Sequence, residues 1–156
     1  MTDLETLREL YREKLADVAR HLAGAKAVRQ YDANNTYQYV INREETQLSW
    51  VAAAVSALGG TVDDLAVADV AAPADARAIE AEDVRQAQAF VDRWRAKADT
   101  VQDARYGRMI NVILGETLEQ KRFFEQALEG RLDLLGTRSE AAGIRVGEVL
   151  ATRWIE

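Results

Sequence analysis

A carboxylate lies inside an apolar helical stripe in the first half of this 156-residue chain. In residues 39–58, apolar side chains recur every three or four positions, which is typical of a helix with one buried face. Glu44 falls on that face and Gln47 lies beside it. Burying an ionised group is costly unless it is paired, so Glu44 requires a metal ion, a cation or a proton as its partner. The full stripe is Val40, Ile41, Glu44, Leu48, Val51, Val55 and Leu58.

The same periodicity over most of the chain predicts an all-α fold. The composition agrees, since 48% of the residues are hydrophobic and there is one proline and nine glycines. Thr2 is followed by Glu5 three residues later, which predicts a capping box at the start of the first helix. The predicted helices span about residues 3–30, 32–58, 75–99 and 103–135.

Residues 59–74 contain the proline and show no helical stripe. We expect this segment to be a long crossover between two helical hairpins. The sequence therefore predicts an antiparallel four-helix bundle in residues 1–136, followed by a C-terminal tail in residues 137–156. We expect the tail to pack on the bundle or on a sister subunit, and docking to another protein is the alternative. Its apolar residues are Val149, Leu150, Trp154 and Ile155.

Composition excludes several classes of function. The net charge of −6 argues against a nucleic-acid partner, because phosphate binding requires concentrated positive charge. The absence of cysteine excludes disulfides and thiolate sites, and the single histidine, His21, excludes a site that needs two imidazoles from one chain. No segment approaches the ~18 consecutive apolar residues of a membrane span, and the amino terminus has no signal-like run, so a cytoplasmic protein with no membrane partner is expected.

Two helical hairpins with a glutamate in the core stripe of the second helix resemble the ferritin-like superfamily, in particular its short rubrerythrin-type bundles. The resemblance covers about residues 3–135. Residues 43–50 and 113–124 are similar to the Glu-x-x-His regions of the second and fourth helices in that family. Such bundles hold a di-iron centre with a glutamate from each of two helices and a Glu-x-x-His pair from each of the other two. The resemblance also implies a homodimer.

Most ligand positions of that family are changed in this chain. Only Glu44 keeps the expected residue type, so the resemblance implies a degenerate di-iron site. Glutamine is a poor ligand for iron, threonine offers one hydroxyl, and alanine offers nothing. In chain order, the six positions are occupied by Lys14, Glu44, Gln47, Ala87, Thr117 and Gln120.

Lys14 is the informative substitution. An ammonium group facing Glu44 would place positive charge about where the metal lies in the family. Gln47, Gln120 and Thr117 would then hydrogen-bond one another and complete a polar network in place of the metal. His21 is interpreted as a packed or partner-bonded ring and not as a catalyst.

Three functions are compatible with this pattern. The first is a non-catalytic bundle without a cofactor, acting through assembly or protein interaction. The second is an iron- or manganese-binding oxidase, peroxidase or iron-handling protein, and any enzyme activity would be that of a ferritin-like di-metal oxidoreductase. The third is a small-molecule-binding bundle with a polar cavity lined by Lys14, Glu44, Gln47 and Gln120. The metal of the second reading would be held by an atypical carboxylate set drawn from Glu13, Asp17, Glu44, Asp83 and Glu116.

Overall fold

The computed structural model of the protein describes residues 1–67, 70–71 and 75–131. Within these ranges the chain forms four helices and no strand, so the all-α prediction is confirmed. Helix α1 packs mainly against α2, and α3 packs mainly against α4, with smaller contacts between α2 and α4 and between α1 and α3. The helices are α1 (Asp3–Ala27), α2 (Tyr31–Ala57), α3 (Ala76–Ala98) and α4 (Ala104–Leu128).

The helix starts follow from local capping chemistry. Thr2 and Glu5 form the predicted capping box, in which each side chain accepts a hydrogen bond from the other residue's backbone N–H. Asp103 caps α4 by accepting a hydrogen bond from the backbone N–H of Arg105. The N-cap of α2 is Gln30, whose side chain accepts from the backbone N–H of Ala33, so this helix begins one residue earlier than predicted.

Two helices end earlier than the sequence pattern predicts. Helix α1 ends at Ala27 instead of about residue 30, and α4 ends at Leu128 instead of about residue 135. Gly130 has φ +84°, a left-handed conformation that favours glycine and terminates the helix. Residues 132–135 and the predicted tail, residues 137–156, lie outside the described residues.

The core consists of two apolar clusters with polar side chains between them. The Trp94 cluster contains Leu7, Leu10, Val51, Val55, Phe90, Trp94, Ile110 and Ile113. The Tyr37 cluster contains Val28, Tyr37, Val40, Ile41, Ile79, Phe123 and Phe124. On every helix, buried polar residues lie, along the sequence, between its members of the two clusters, whereas Thr6 and Thr36 are buried outside this interval. We call seven of the residues between the clusters the polar layer: Lys14, His21, Glu44, Gln47, Asp83, Thr117 and Gln120.

Among the described residues, no helix has the length and apolar content needed to span a membrane. The helices instead carry charged side chains on their outer faces, with ion pairs such as Arg85–Glu82 and Lys121–Glu125 within single helices. These pairs follow the i, i+3 and i, i+4 spacing that brings side chains together on a helix surface.

Candidate functional site

Lys14 of α1 and Glu44 of α2 form a buried ion pair in the polar layer. The Lys14 ammonium donates a hydrogen bond to Glu44 Oε2 at 2.9 Å, and the two side chains are 1% and 0% exposed. Lys14 Nζ also lies 5.1 Å from the centroid of the Phe90 ring, a cation–π contact. The structure therefore brings Lys14 and Glu44 together, the pairing that the sequence suggested.

His21 contacts the other oxygen of the same carboxylate. Its Nδ1 lies within hydrogen-bonding distance of Glu44 Oε1, and the imidazole is 4% exposed. Its other nitrogen, Nε2, is buried and lies 3.6 Å from Asp83 Oδ1, beyond hydrogen-bonding distance. The ring of Phe124 packs on the imidazole with centroids 5.5 Å apart. From the sequence, the His21 ring was predicted to be packed or bonded to a partner, but its position in this site was not predicted.

Asp83 of α3 is the second carboxylate of the polar layer. Arg20 Nε donates to Asp83 Oδ1 at 2.9 Å, and the hydroxyl of Tyr37 donates to Oδ2 at 2.5 Å. Arg20 also pairs with Asp17 at 3.0 Å, one helical turn earlier on α1. Asp83 thus links α3 to both α1 and α2. Its place in the apolar stripe of α3 was a visible signal, but the sequence treated it only as a possible metal ligand.

The partners of these groups determine their protonation. Burial by itself raises the pKa of Glu44, but the charges of His21 and Lys14 and their hydrogen bonds outweigh it and lower that pKa to about 2. Burial by itself lowers the pKa of His21, and the charge and hydrogen bond of Glu44, helped by Asp83, reverse this and raise it. Burial and the neighbouring Asp83 both raise the pKa of Tyr37, so its hydroxyl remains a donor.

The predicted amide network of Gln47, Gln120 and Thr117 is wrong. Gln47 Nε2 donates to Glu116 Oε1 at 3.0 Å, and Thr117 Oγ1 donates to the Ile113 carbonyl oxygen at 2.8 Å. Within the described ranges, Gln47 Oε1 and Gln120 Nε2 are buried without a hydrogen-bond partner. The physical reason is that a carboxylate is a stronger acceptor than an amide, and Glu116 lies within reach of Gln47.

Glu116 joins α4 to α2. Besides the hydrogen bond from Gln47, Glu116 accepts hydrogen bonds from the Arg43 guanidinium. Arg43 Nη2 lies 3.0 Å from Oε1 and 2.9 Å from Oε2, and Nε lies 3.1 Å from Oε1. Such a bidentate pair fixes both side chains in orientation as well as distance. The sequence named Glu116 only as an alternative metal ligand, and no signal within α4 alone identified Arg43 as its partner.

The residues present do not fit a di-iron centre. Each carboxylate of the alternative metal set is engaged by a donor of the chain: Glu44 by Lys14, Asp83 and Asp17 by Arg20, and Glu116 by Arg43. Glu13, the remaining member, accepts from Trp94 Nε1 at 2.7 Å and from Arg93 at 3.0 Å. In the part of the chain that the structure describes, no group of three or more histidine and acidic side chains is placed to hold a metal ion.

Comparison of the chain with protein-family models, with curated proteins and with solved structures gives no match.

Proposed function

We propose that this chain is a non-catalytic helical bundle of the ferritin-like type that acts through assembly, with itself or with a protein partner. The polar layer takes the place of the metal centre and joins the helices. The observation that carries this proposal is the Lys14 ammonium, 2.9 Å from the one glutamate that matches the family pattern. A cation held there by a buried carboxylate disfavours a second cation at the same place.

Contacts between the ends of the helices support an antiparallel arrangement. The Asn34 side chain at the start of α2 donates to the carbonyl oxygens of Ala25 and Val28 at the end of α1. Asp3 at the start of α1 accepts hydrogen bonds from the backbone of residues 102 and 103, just before α4. The first contact joins the ends of two consecutive helices, as in a helical hairpin, and the second places the start of α1 beside the connection between α3 and α4.

The connections made by the polar layer support its role as a replacement. A metal centre links helices through ligands that each helix supplies. Here Glu44 is shared by α1 and α2, Asp83 by α1, α2 and α3, and Glu116 by α2 and α4. Charged groups of the chain therefore make connections of the kind that metal ligands would make.

Elemental analysis tests the replacement of metal. We expect protein purified from cells supplemented with iron and manganese to contain neither metal in stoichiometric amount, and a chelator to leave its melting temperature unchanged. In Lys14→Glu, a second carboxylate replaces the ammonium beside Glu44, so the metal-free protein is expected to lose stability. Stoichiometric iron or manganese that raises the melting temperature of the unaltered protein would overturn the proposal.

Exposed apolar side chains support assembly as the mode of action. Tyr31 is 76% exposed and Val112 is 50% exposed, and Leu22 and Leu118 are also exposed. We propose a homodimer, and light scattering is expected to give the mass of two 17.4 kDa chains. The double variant Val112→Ser/Leu118→Ser tests the exposed side chains of α4. The variant Trp154→Ser tests the apolar residues of the tail. A monomer at all concentrations, with no partner bound by either surface, would contradict assembly.

A second candidate function is the binding of a small polar molecule. The buried atoms Gln47 Oε1 and Gln120 Nε2 favour it, since one is an acceptor and the other a donor without a partner among the described residues. Lys14 is already paired with Glu44, so a neutral amide suits the layer better than a carboxylate. Saturation-transfer NMR with acetamide, and with acetate as the control ligand, tests this candidate. Binding of acetamide that Gln120→Leu abolishes would support it, and no transfer to either compound would exclude these probes as ligands.

A further inference from the structure

We propose that His21 binds a proton in the folded protein and, as an imidazolium, bridges the carboxylates of Glu44 on α2 and Asp83 on α3. The proton completes the charge balance of the polar layer and makes the attachment of α1 to the other two helices dependent on pH. The protonation of His21 does not depend on assembly and is expected equally in a monomer.

The two ring nitrogens face carboxylates on two different helices. Nδ1 contacts Glu44 Oε1, and Nε2 lies 3.6 Å from Asp83 Oδ1 in a place without solvent contact. In a neutral imidazole that donates from Nδ1, the Nε2 lone pair would point towards the negative charge of Asp83. Adding a proton to Nε2 replaces this repulsion with an attraction, because N–H then faces the carboxylate.

The charges around the ring require one further positive charge. Lys14 and Arg20 supply two cations from α1, and Asp17, Glu44 and Asp83 supply three carboxylates. A protonated His21 makes the numbers of positive and negative charges equal. An unbalanced charge is costly at a site with so little solvent, so the proton is stabilised by the whole group.

The other groups that face His21 do not cancel the preference for a protonated imidazole. Helix α2 also presents Tyr37, whose ring lies 6.2 Å from the imidazole and whose hydroxyl is bound to Asp83. Helix α3 also presents Glu80, whose pKa is raised by its burial. Helix α4 presents the Phe124 ring, which carries no charge. The electrostatic influence of Arg20 opposes the proton, but the carboxylates outweigh it and the pKa of His21 is raised.

Release of the proton has a defined structural consequence. The charged groups around the ring would then be three carboxylates and two cations, with the Nε2 lone pair facing Asp83. Helix α1 would be held less firmly against α3, where Arg20 is its remaining link to Asp83. A rise in pH through the titration of His21 therefore loosens the contact between α1 and α3 in particular.

The single histidine allows a direct test by NMR with ¹⁵N-labelled histidine. We expect the imidazole to titrate as one group with a midpoint above that of the same chain unfolded in urea, where histidine titrates near 6.5. Below that midpoint both nitrogens should have the chemical shifts of protonated imidazolium. A midpoint at or below that of the unfolded chain, or a neutral tautomer at pH 6, would overturn the proposal.

Variants separate the two halves of the bridge. Glu44→Gln and Asp83→Asn should each move the midpoint downward, because each removes one carboxylate facing the ring. The matched control is Asp64→Asn, which removes an exposed carboxylate paired with Arg8 on the surface and should leave the midpoint in place. If Asp83→Asn does not fold, Asp83→Glu retains the charge and should keep the midpoint raised. An unchanged midpoint in a folded Asp83→Asn protein would exclude the bridge to α3.

Discussion

Lys14 and Glu44 are acceptable in the core because each faces opposite charge: Glu44 contacts Lys14 and His21, and Lys14 lies near Glu44 and Asp17. Two opposite charges at 2.9 Å, with almost no solvent contact, have lost most of their hydration. A buried pair of this kind contributes little net stability compared with apolar residues of the same size, but removal of one partner leaves the other charge uncompensated. A substitution that removes one member of a buried pair is therefore expected to change stability more than substitutions that replace both members.

We predict that Lys14→Met lowers the free energy of unfolding by about 3 kcal/mol, the low end of the usual cost of breaking a buried ion pair, because His21 still contacts Glu44. The double variant Lys14→Met/Glu44→Gln should recover a large part of this loss, because no unpaired charge remains on α2. Urea unfolding of the two single variants and the double variant, as a double-mutant cycle, measures the coupling. Arg8→Met removes a partly exposed cation paired with the exposed Asp64 and is the control, with a much smaller effect expected. Equal effects of Arg8→Met and Lys14→Met would contradict the buried pair.

The ends of the helices are determined by local residues, whereas the contacts of their buried faces depend on how the helices pack together. The capping box and the caps are local: Thr2 and Glu5 form the predicted box, and Asp103 caps α4. The end of α4 is also local, since Gly130 adopts φ +84° two residues after Leu128. The sequence pattern extended α4 too far because apolar residues continue after this glycine.

Gly115 inside α4 and Gly130 just after its end give opposite predictions for the same substitution. Gly130→Ala should cost about 1 kcal/mol, because alanine is disfavoured in a left-handed conformation. Gly115→Ala should instead stabilise by about 0.5 to 1 kcal/mol, because this residue lies inside the helix and an added Cβ meets nothing within 4 Å. Thermal and urea unfolding of both variants measure the difference. A stabilised Gly130→Ala would mean that α4 does not end there.

The sequence predicted the residues of the polar layer better than their partners. Periodicity along one helix placed Glu44 on a buried face with Gln47 beside it, and both are buried. It does not determine how far one helix is displaced along another. The contact of His21 with Glu44 and the bond from Gln47 to Glu116 depend on that displacement, so neither was predicted. The pairing of Lys14 with Glu44 was predicted only because a family pattern supplied the alignment between helices.

For the whole molecule, surface and core have different charge balances. The chain carries a net charge of −6, but the buried cations and carboxylates around His21 are balanced when its ring is protonated. Changes of pH therefore act on the molecule in two ways. They alter repulsion over the surface, and they alter the few buried groups that connect α1, α2 and α3.

We predict that the contribution of His21 and Glu44 to stability is greatest between pH 4.5 and 6.5. The pKa of His21 is raised above 6.5, so its contribution is complete below 6.5 and is lost as the pH rises through the folded-state pKa. The pKa of Glu44 is lowered from 4.5 to about 2, so its contribution is complete above 4.5 and is lost as the pH falls towards 2. The difference in unfolding free energy between the unaltered protein and His21→Gln, measured across this range, should narrow above pH 6.5. A difference that widens with rising pH would contradict the assigned sign.

The polar layer between two apolar clusters also determines which neighbouring arrangements of the helices are excluded. Apolar contacts tolerate sliding, because one leucine or valine can replace another when a helix shifts by a turn. A one-turn shift of α1 along α2 would move Lys14 by about 5.4 Å and break its pairing with Glu44. The shifted state keeps much of its apolar contact area but loses its charge pairing. The buried charges therefore select a single register of the bundle, at some cost to its maximum stability.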